Sequence, residues 1–452
     1  MNKVCLQNGT SALQLKDLEK NNELPNENVT SASFLDALKF WFKLGFISFG
    51  GPAGQISIMH ETVVDKKKWI SEEKFLNALN YCMLLPGPEA QQLATYIGWL
   101  LHGVKGGLVA GIFFILPGAL LLLLLSILYV EFHQVPIVFQ FFYGLKISVG
   151  GIVLVATRNM ALKSLRSKGK IIIACLSFLY IFIFQLPMPF LIFFLLTFGI
   201  VFPNLDQKFI KSTIIQNISK TPLKLQYLTK LSSIFLVIGI LPYLLFITLD
   251  NGNFWKHLIE FFLKTSLITF GGAYAVLPYV AEQTVHNFHW LESYQMIDGL
   301  ALGETTPGPL VIVLSFVGFM AGFKVFAGNL LLASVSMAVA TYYTFLPSFY
   351  FIFAGAPFIE SLLHSERLKR AMGFVSAGIV GLIASLACTI LITVSFESVD
   401  NLLKWESVDY FALIWIAITF YALTIKKWNM IFWIIISSLM GWTFLYLKMI
   451  LN

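Results

Sequence analysis

Two short stretches of the chain combine helix-breaking residues with polar groups. Residues 80–92 read NYCMLLPGPEAQQ, and residues 303–309 read GETTPGP, each within otherwise apolar sequence. Proline lacks a backbone donor and clashes with the preceding turn, so each Pro-Gly-Pro motif predicts a broken helix. The helical segment that follows such a break begins with free N–H groups, and these together with the helix dipole favour an anion. The two stretches therefore predict an anion-binding site.

A second kind of break precedes each Pro-Gly-Pro motif. It is Phe-Gly-Gly, at Phe49–Gly51 and again at Phe270–Gly272. Ser48 and Thr269 stand directly before these breaks, where their hydroxyl groups could donate to an anion. Lysines one to two helical turns upstream, Lys43 and Lys264, could supply positive charge. The alternative is that both lysines reach from near a helix end to the membrane interface.

Two carboxylates accompany the Pro-Gly-Pro motifs. Glu89 directly follows the first motif, and Glu304 stands three residues before the second. A carboxylate in an apolar segment can take up and release a proton, so both are predicted to couple binding to protons. Glu89 is the preferred candidate, because it is the least symmetric member of the two Pro-Gly-Pro stretches. A structural role, such as neutralising a lysine or holding a helix N-terminus, fits these residues equally well.

The composition of the chain indicates that these polar groups are positioned by membrane-spanning helices. Of the 452 residues, 57% are hydrophobic and 12% charged, with a mean hydropathy of +0.78. Soluble domains carry about 25% charged residues. A membrane span needs about 20 apolar residues, and four of the runs that provide them are 108–130, 171–202, 231–249 and 372–394. The sequence thus predicts an all-α, polytopic integral membrane protein with about 10–13 membrane segments, including broken or re-entrant helices.

The charge and cysteine content exclude several functions. The net charge of +7 comes from lysines and arginines in short loops, which is typical of cytoplasmic loops and does not indicate nucleic-acid binding. The four cysteines and seven histidines show no metal-binding spacing, and no cofactor fingerprint or nucleophile–base pair is found. We therefore expect no enzyme activity, no metal and no cofactor.

The chain contains an internal repeat. FWFKLGFISFGG at 40–51 matches FFLKTSLITFGG at 261–272, and the same offset, 308 − 87 = 221, superimposes the two Pro-Gly-Pro motifs. Glu89 then aligns with Leu310, and Glu304 with Met83. We divide the chain into a polar, disordered cytoplasmic tail (1–33), a first repeat (34–203), a basic linker (204–230) and a second repeat (231–452).

Loop charges predict that the two repeats cross the membrane in opposite directions. The loop after the first Phe-Gly-Gly break carries Lys66–Lys68, whereas its counterpart carries Glu282, Glu292 and Asp298 instead. Basic loops tend to face the cytoplasm. Inverted repeats of this kind are a recurring architecture of secondary transporters.

Four stretches resemble the chromate ion transporter family in its long, two-domain form: 40–60, 80–103, 269–280 (TFGGAYAVLPYV) and 298–309 (DGLALGETTPGP). The resemblance extends over nearly the whole chain from Phe34 on. It implies export of chromate across the bacterial inner membrane, driven by the proton-motive force, with sulfate as a competing substrate look-alike.

The resemblance includes Glu89 and Glu304, which match motifs of the family by position and are predicted from their chemistry to couple transport to protons. The substrate-binding residues it implies are Lys43, Ser48, Gly50, Gly51, Pro86, Gly87, Pro88, Gln91, Gln92, Lys264, Thr269, Gly271, Gly272, Thr305, Thr306, Pro307, Gly308 and Pro309. The partners implied are chromate, protons and the lipid bilayer. The oligomeric state stays open, a homodimer included.

Two alternatives remain at this point. Sulfate or another tetrahedral oxyanion shares the charge and shape of chromate, so the sequence does not choose between them. A membrane scaffold or receptor without transport activity is the other alternative, although it would not need four breaks at equivalent positions of two repeats.

Overall fold

The computed structural model describes residues 31–49, 51–132, 135–184, 188–201, 225–248, 253–270, 273–358, 366–396 and 408–451. These residues form sixteen α-helices, so the predicted all-α class is confirmed. The predicted tail (1–33) lies outside the described residues except for its last three, of which Ser33 caps the first helix.

The first repeat contributes seven helices. They are α1 Phe34–Ile47, α2 Gly51–His60, α3 Glu72–Cys82, α4 Glu89–Phe132, α5 Pro136–Ser164, α6 Lys168–Phe182 and α7 Met188–Val201. Helix α4 is interrupted by non-helical backbone at His102 and Gly103, so it consists of two helices joined at a kink.

Nine helices follow among the described residues of the remainder of the chain. They are α8 Leu225–Thr248, α9 Phe254–Ile268, α10 Ala273–Ala281, α11 Ser293–Thr305, α12 Val313–Val325, α13 Leu330–Gly355, α14 Glu366–Ser395, α15 Tyr410–Thr424 and α16 Met430–Leu451.

The repeat is visible in where the elements begin. A π-helical turn follows α2 at Glu61–Lys66, and another follows α10 at Glu282–Asn287, so the two turns start 282 − 61 = 221 residues apart. Helices α3 and α11 start 293 − 72 = 221 residues apart as well. The alignment made from sequence therefore pairs matching elements across the broken segments.

The protein is a multi-pass membrane protein. In the part of the chain that the structure describes, six helices are long and apolar enough to cross a membrane, namely Glu89–Phe132, Pro136–Ser164, Gln226–Thr248, Leu330–Gly355, Ala371–Ser395 and Met430–Ile450. Many of their outward side chains are large and apolar, as in Leu236 and Leu241 of α8, which suits contact with lipid.

Three local expectations differ from the structure. The apolar run 171–202 forms two shorter helices, α6 and α7, and Pro189 stands at the second position of α7, where its missing N–H costs little. Helix α8 begins at Leu225, inside the predicted linker. Asp298 was expected in a loop but is buried inside α11, so its charge does not report membrane orientation.

The two repeats interlock. Helix α5 of the first repeat packs against α15 and α16, while α14 of the second repeat packs against α6 and α7. Small residues allow these close approaches: Gly144 of α5 lies against Gly441 of α16, and Gly381 of α14 lies against Ala174 of α6. Each repeat therefore completes its packing with helices of the other.

Candidate functional site

The broken segments of the two repeats meet through a matched pair of backbone hydrogen bonds. The N–H of Gly87 donates to the carbonyl of Thr269 at 2.6 Å, and the N–H of Gly308 donates to the carbonyl of Ser48 at 2.9 Å. Both residue pairs obey the repeat offset, since 308 − 87 and 269 − 48 are each 221. We call these four residues the crossing. Each Pro-Gly-Pro turn thus contacts the Phe-Gly-Gly break of the opposite repeat.

Glycine is required at the centre of both turns. Gly87 has a φ of +122° and Gly308 a φ of +95°, which side-chain-bearing residues rarely adopt. Space is also limited, because a Cβ atom on Gly87 would lie 2.5 Å from the Ser348 hydroxyl oxygen. Of the flanking prolines, Pro88, Pro307 and Pro309 are buried and Pro86 is half-buried.

A helix begins immediately after each turn without a side-chain cap. Helix α4 starts at Glu89 after Pro88, and a 3₁₀ turn at Leu310–Ile312 leading into α12 starts after Pro309. Proline carries no side-chain oxygen that could cap the first N–H groups, which also lack partners within the helix. Both starts are buried, as Ala90 and Leu310 illustrate. Two buried helix N-termini that suit an anion, at Glu89 and Leu310, therefore lie next to the crossing.

The hydroxyl groups predicted to donate to an anion are already engaged. Each donates to a backbone carbonyl three or four residues earlier in its own chain segment, which is a common hydrogen bond of serine and threonine in helices. The bonds are Ser48 to Leu44, Thr269 to Thr265, Thr305 to Leu302 and Thr306 to Gly303. In this conformation, donors for an anion are backbone N–H groups rather than these hydroxyls.

Three buried glutamines surround the crossing, and one of them was not assigned from sequence. The amide nitrogen of Gln55 donates to the carbonyls of Gly308 at 2.6 Å and Ser48 at 3.2 Å, joining the two repeats a second time. Gln92 donates to the carbonyl of Pro86 at 2.7 Å, and Gln91 donates to the Thr95 hydroxyl at 3.0 Å. The amides of Gln55 and Gln92 hold the broken backbone in place. The signal for Gln55 was its position four residues after the Phe-Gly-Gly break.

The two predicted proton-coupling carboxylates have different surroundings. Glu304 is only 3% exposed and accepts a hydrogen bond from the Tyr274 hydroxyl, which sequence reasoning also missed. Tyr274 stands at the start of α10, directly beyond the second Phe-Gly-Gly break. Glu89 is the first residue of α4 and is half-buried. Of the two, Glu304 is the more enclosed acid.

The remaining predicted site residues lie at the edge of this arrangement or outside the description. Lys43 and Lys264 are exposed on α1 and α9, so the structure does not bring them into the crossing. Gly51 is the first residue of α2. Three glycines, Gly50, Gly271 and Gly272, lie outside the described residues.

The long helices supply the walls of the crossing. Pro117-Gly118 of α4 packs against Pro307, where a Cβ on Gly118 would overlap the Pro307 carbonyl. Pro347-Ser348 of α13 lies in the corresponding place beside Gly87. A proline inside a long apolar helix was the available signal for both positions.

Interlocked homologous repeats that meet at broken, buried helix ends are the architecture of a secondary membrane transporter. A family model described as "Chromate transporter" matches residues 35–201 and again residues 256–442. The chain belongs to the chromate transporter family, as the resemblance had indicated.

Relatives of known sequence agree over most of the chain. An uncharacterized transporter of Methanocaldococcus jannaschii is 29% identical over 420 residues, covering 93% of this chain and 96% of its own. A chromate transport protein of Pseudomonas aeruginosa is 30% identical, covering 89% and 90%. A chromate transport protein of Cupriavidus metallidurans is 27% identical, covering 80% and 82%. No solved structure matches the chain.

Proposed function

We propose that this protein exports chromate from the cytoplasm across a bacterial inner membrane, with transport coupled to the proton gradient. Membership of the chromate transporter family and similarity to the chromate transport proteins of Pseudomonas aeruginosa and Cupriavidus metallidurans support the substrate. The substrate is a dianion, which agrees with a site built from helix N-termini.

The observation that carries the proposal is the crossing itself. Two helices start there, at Glu89 and Leu310, with proline in place of a side-chain cap. Buried backbone N–H groups at these two helix starts, one in each repeat, can replace part of the hydration shell of an oxyanion without a fixed cation. The backbone groups of the crossing are joined across the repeats, so a relative movement of the repeats would change the site. Alternating access needs a site of that kind.

Proton coupling is assigned to Glu304 and Glu89. Both stand within three residues of a Pro-Gly-Pro motif. A proton gained or lost at either carboxyl changes the charge beside a bound dianion by one unit, and in a medium of low dielectric such a change is strongly felt. The burial of Glu304 and its bond to Tyr274 make it the stronger of the two assignments.

The proposal is tested by transport in proteoliposomes that contain the purified protein. Chromate uptake is measured with a pH gradient, with a membrane potential and with neither, against protein-free liposomes. We expect uptake that requires the protein and responds to the pH gradient. No protein-dependent uptake would refute transport, and uptake indifferent to the pH gradient would refute coupling.

The second candidate is a carrier of sulfate or another tetrahedral oxyanion. It is favoured by the backbone character of the site, because N–H groups recognise charge and shape and do not distinguish the central atom. Excess sulfate in the same assay separates the candidates. Weak inhibition supports a chromate carrier, whereas sulfate uptake faster than chromate uptake would favour the alternative.

A further inference from the structure

A buried ion pair joins the two repeats at a place separate from the crossing. The ammonium nitrogen of Lys146 lies 3.5 Å from the Oδ1 atom of Asp298. Lys146 belongs to α5 of the first repeat and Asp298 to α11 of the second. The Asp298 side chain is 6% exposed and that of Lys146 is 21% exposed. The Tyr129 hydroxyl of α4 donates to the other carboxylate oxygen at 2.9 Å.

The position of Lys146 distinguishes it from the exposed lysines. It lies inside the membrane-spanning helix α5, ten residues after Pro136 and so about 15 Å along the helix from its start. Charges at such positions are expensive and are usually functional. Asp298 lies on the same helix as Glu304, six residues or about 9 Å before it along the axis. Helix α11 thus connects the ion pair to the crossing.

Two cavities lie on either side of Tyr129, and the smaller of them contains the ion pair. The larger, of about 360 Å³, is lined in part by Tyr129, Gln295, Glu292 and Lys324. The Lys324 and Glu292 side chains are both about half exposed, so this cavity faces water. The smaller, of about 50 Å³, contains Lys146 and Asp298 together with Tyr129. Tyr129 lines both cavities and therefore stands between the water-facing space and the ion pair.

The ionisable groups around the small cavity favour exchange of one anion for another at Lys146. They are Tyr129, Tyr143, Lys146, Tyr294 and Asp298. Among the described residues that line this cavity, Lys146 is the only cation and Asp298 is the only carboxylate. Tyr143 donates to Asp409, the cap of α15, and the Tyr294 ring lies 5.6 Å from the lysine nitrogen. A dianion that enters this cavity therefore meets Lys146, whose charge is already paired with the carboxylate of Asp298.

We propose that Lys146 is an oxyanion-binding residue between the water-facing cavity and the crossing, and that Asp298 is its internal counter-ion, displaced when the oxyanion binds. The ligand class is a tetrahedral oxyanion dianion such as chromate or sulfate. This inference rests on the proposed function and adds to it a cation that the crossing itself lacks. Tyr129 is a positioning residue that holds Asp298 through its hydroxyl group.

The proposal predicts effects of opposite sign for the two partners. Lys146→Gln removes the cation and should weaken oxyanion binding by about tenfold or more, a typical coupling of a close charge pair. Asp298→Asn removes the competing anion but keeps the acceptor for Tyr129, so it should strengthen binding several-fold. A merely structural ion pair would instead be damaged in the same direction by both changes.

The experiment is equilibrium binding of radiolabelled chromate, and separately of sulfate, to the purified full-length protein at one pH and ionic strength. Lys146→Arg, which keeps the charge, is expected to retain most of the affinity. Lys324→Gln is the matched control, because it removes a lysine of the water-facing cavity whose pair with Glu292 is exposed. It should change affinity less than twofold. Size-exclusion profiles show that each variant is folded.

The outcomes separate this inference from the proposed function. If the wild-type protein binds neither oxyanion, the proposed function fails, and this inference fails with it. If the wild type binds but Lys146→Gln binds equally well, only this inference is overturned. It is also overturned if Asp298→Asn weakens binding as much as Lys146→Gln does, since the pair would then be structural. Should Lys146→Gln misfold, the sign of the Asp298→Asn effect still decides.

Discussion

The two Pro-Gly-Pro turns make the same backbone contact with the opposite repeat and differ in most of the side chains around it. Gly87 and Gly308 both donate to the residue before a Phe-Gly-Gly break. After the first turn the chain continues with Glu89, Gln91 and Gln92, whereas after the second it continues with the apolar residues 310–313. The carboxylate of the second repeat precedes its turn instead.

The difference shows which features depend on the duplication. The prolines and glycines of the Pro-Gly-Pro and Phe-Gly-Gly motifs, which set the path of the backbone, are the same in both repeats, so the frame of the crossing is symmetric. Polar side chains are not: Gln55 corresponds to Val276, and Glu304 corresponds to Met83, at the offset of 221 from 276 − 55. A symmetric frame can present similar donors in two conformations of a transporter. The asymmetric side chains can then make the two conformations unequal in energy.

The largest expected effect comes from alanine at the two central glycines. Each variant forces a side chain into positive φ, which costs about 1–3 kcal/mol. Gly87→Ala should be the more harmful, because its Cβ would lie 2.5 Å from the Ser348 hydroxyl, whereas the nearest atom to a Cβ on Gly308 is the Phe114 carbonyl oxygen at 3.1 Å. Thermal unfolding in detergent measures the difference.

The matched control is Gly169→Ala near the start of α6, where a Cβ would meet nothing within 4 Å. We expect no loss of stability there. Equal stability of Gly87→Ala and the wild-type protein would contradict the tight first turn.

A smaller effect is expected at Glu61 and Glu282, which occupy the same position of the two repeats. The hydrogen bond and charge of Lys66, 2.6 Å away, lower the pKa of the exposed Glu61. Partial burial raises the pKa of Glu282. A carboxyl group whose pKa is lower in the folded than in the unfolded protein stabilises the fold at pH values above its unfolded pKa. This stabilisation is lost as the pH falls through the folded pKa. A carboxyl group whose pKa is raised in the folded protein makes the opposite contribution, so the folded protein loses stability as the pH rises and the group ionises.

Glu61→Gln should therefore slightly lower stability near neutral pH, and Glu282→Gln should slightly raise it. Unfolding midpoints measured from acidic to neutral pH report both. Shifts of the unfolding midpoint in the same direction for both variants would contradict the predicted difference between Glu61 and Glu282.

The smallest effect is expected at the two exposed lysines. Lys43→Met and Lys264→Met should leave oxyanion affinity within about twofold of wild type, because an exposed side chain contributes little to a buried anion site. Equilibrium binding of radiolabelled chromate measures this. A tenfold loss in either variant would restore the ligand role that the sequence suggested for them.

The sequence predicted the fold class and the duplication because both depend on strong local signals. Long apolar runs specify membrane helices, and proline with glycine specifies breaks, so a constant offset could align them. The bond between Gly308 and Ser48 could not be predicted, because it depends on how distant helices pack. The hydrogen bonds from the Ser48 and Thr269 hydroxyls to backbone carbonyls four residues earlier could have been expected, because serine and threonine often form such bonds in helices. Lys146 and Asp298 are single residues, and their pairing exists only in the folded chain.

The most direct test of the account compares Glu304→Gln with the wild-type protein in two transport modes of the same proteoliposomes. Exchange of chromate across the membrane without a gradient requires the binding site but no net coupling. Uptake driven by a pH gradient requires both. The account predicts that Glu304→Gln retains exchange and loses the response to the pH gradient, and that Glu89→Gln does so to a smaller degree. A Glu304→Gln variant whose uptake still follows the pH gradient would contradict it.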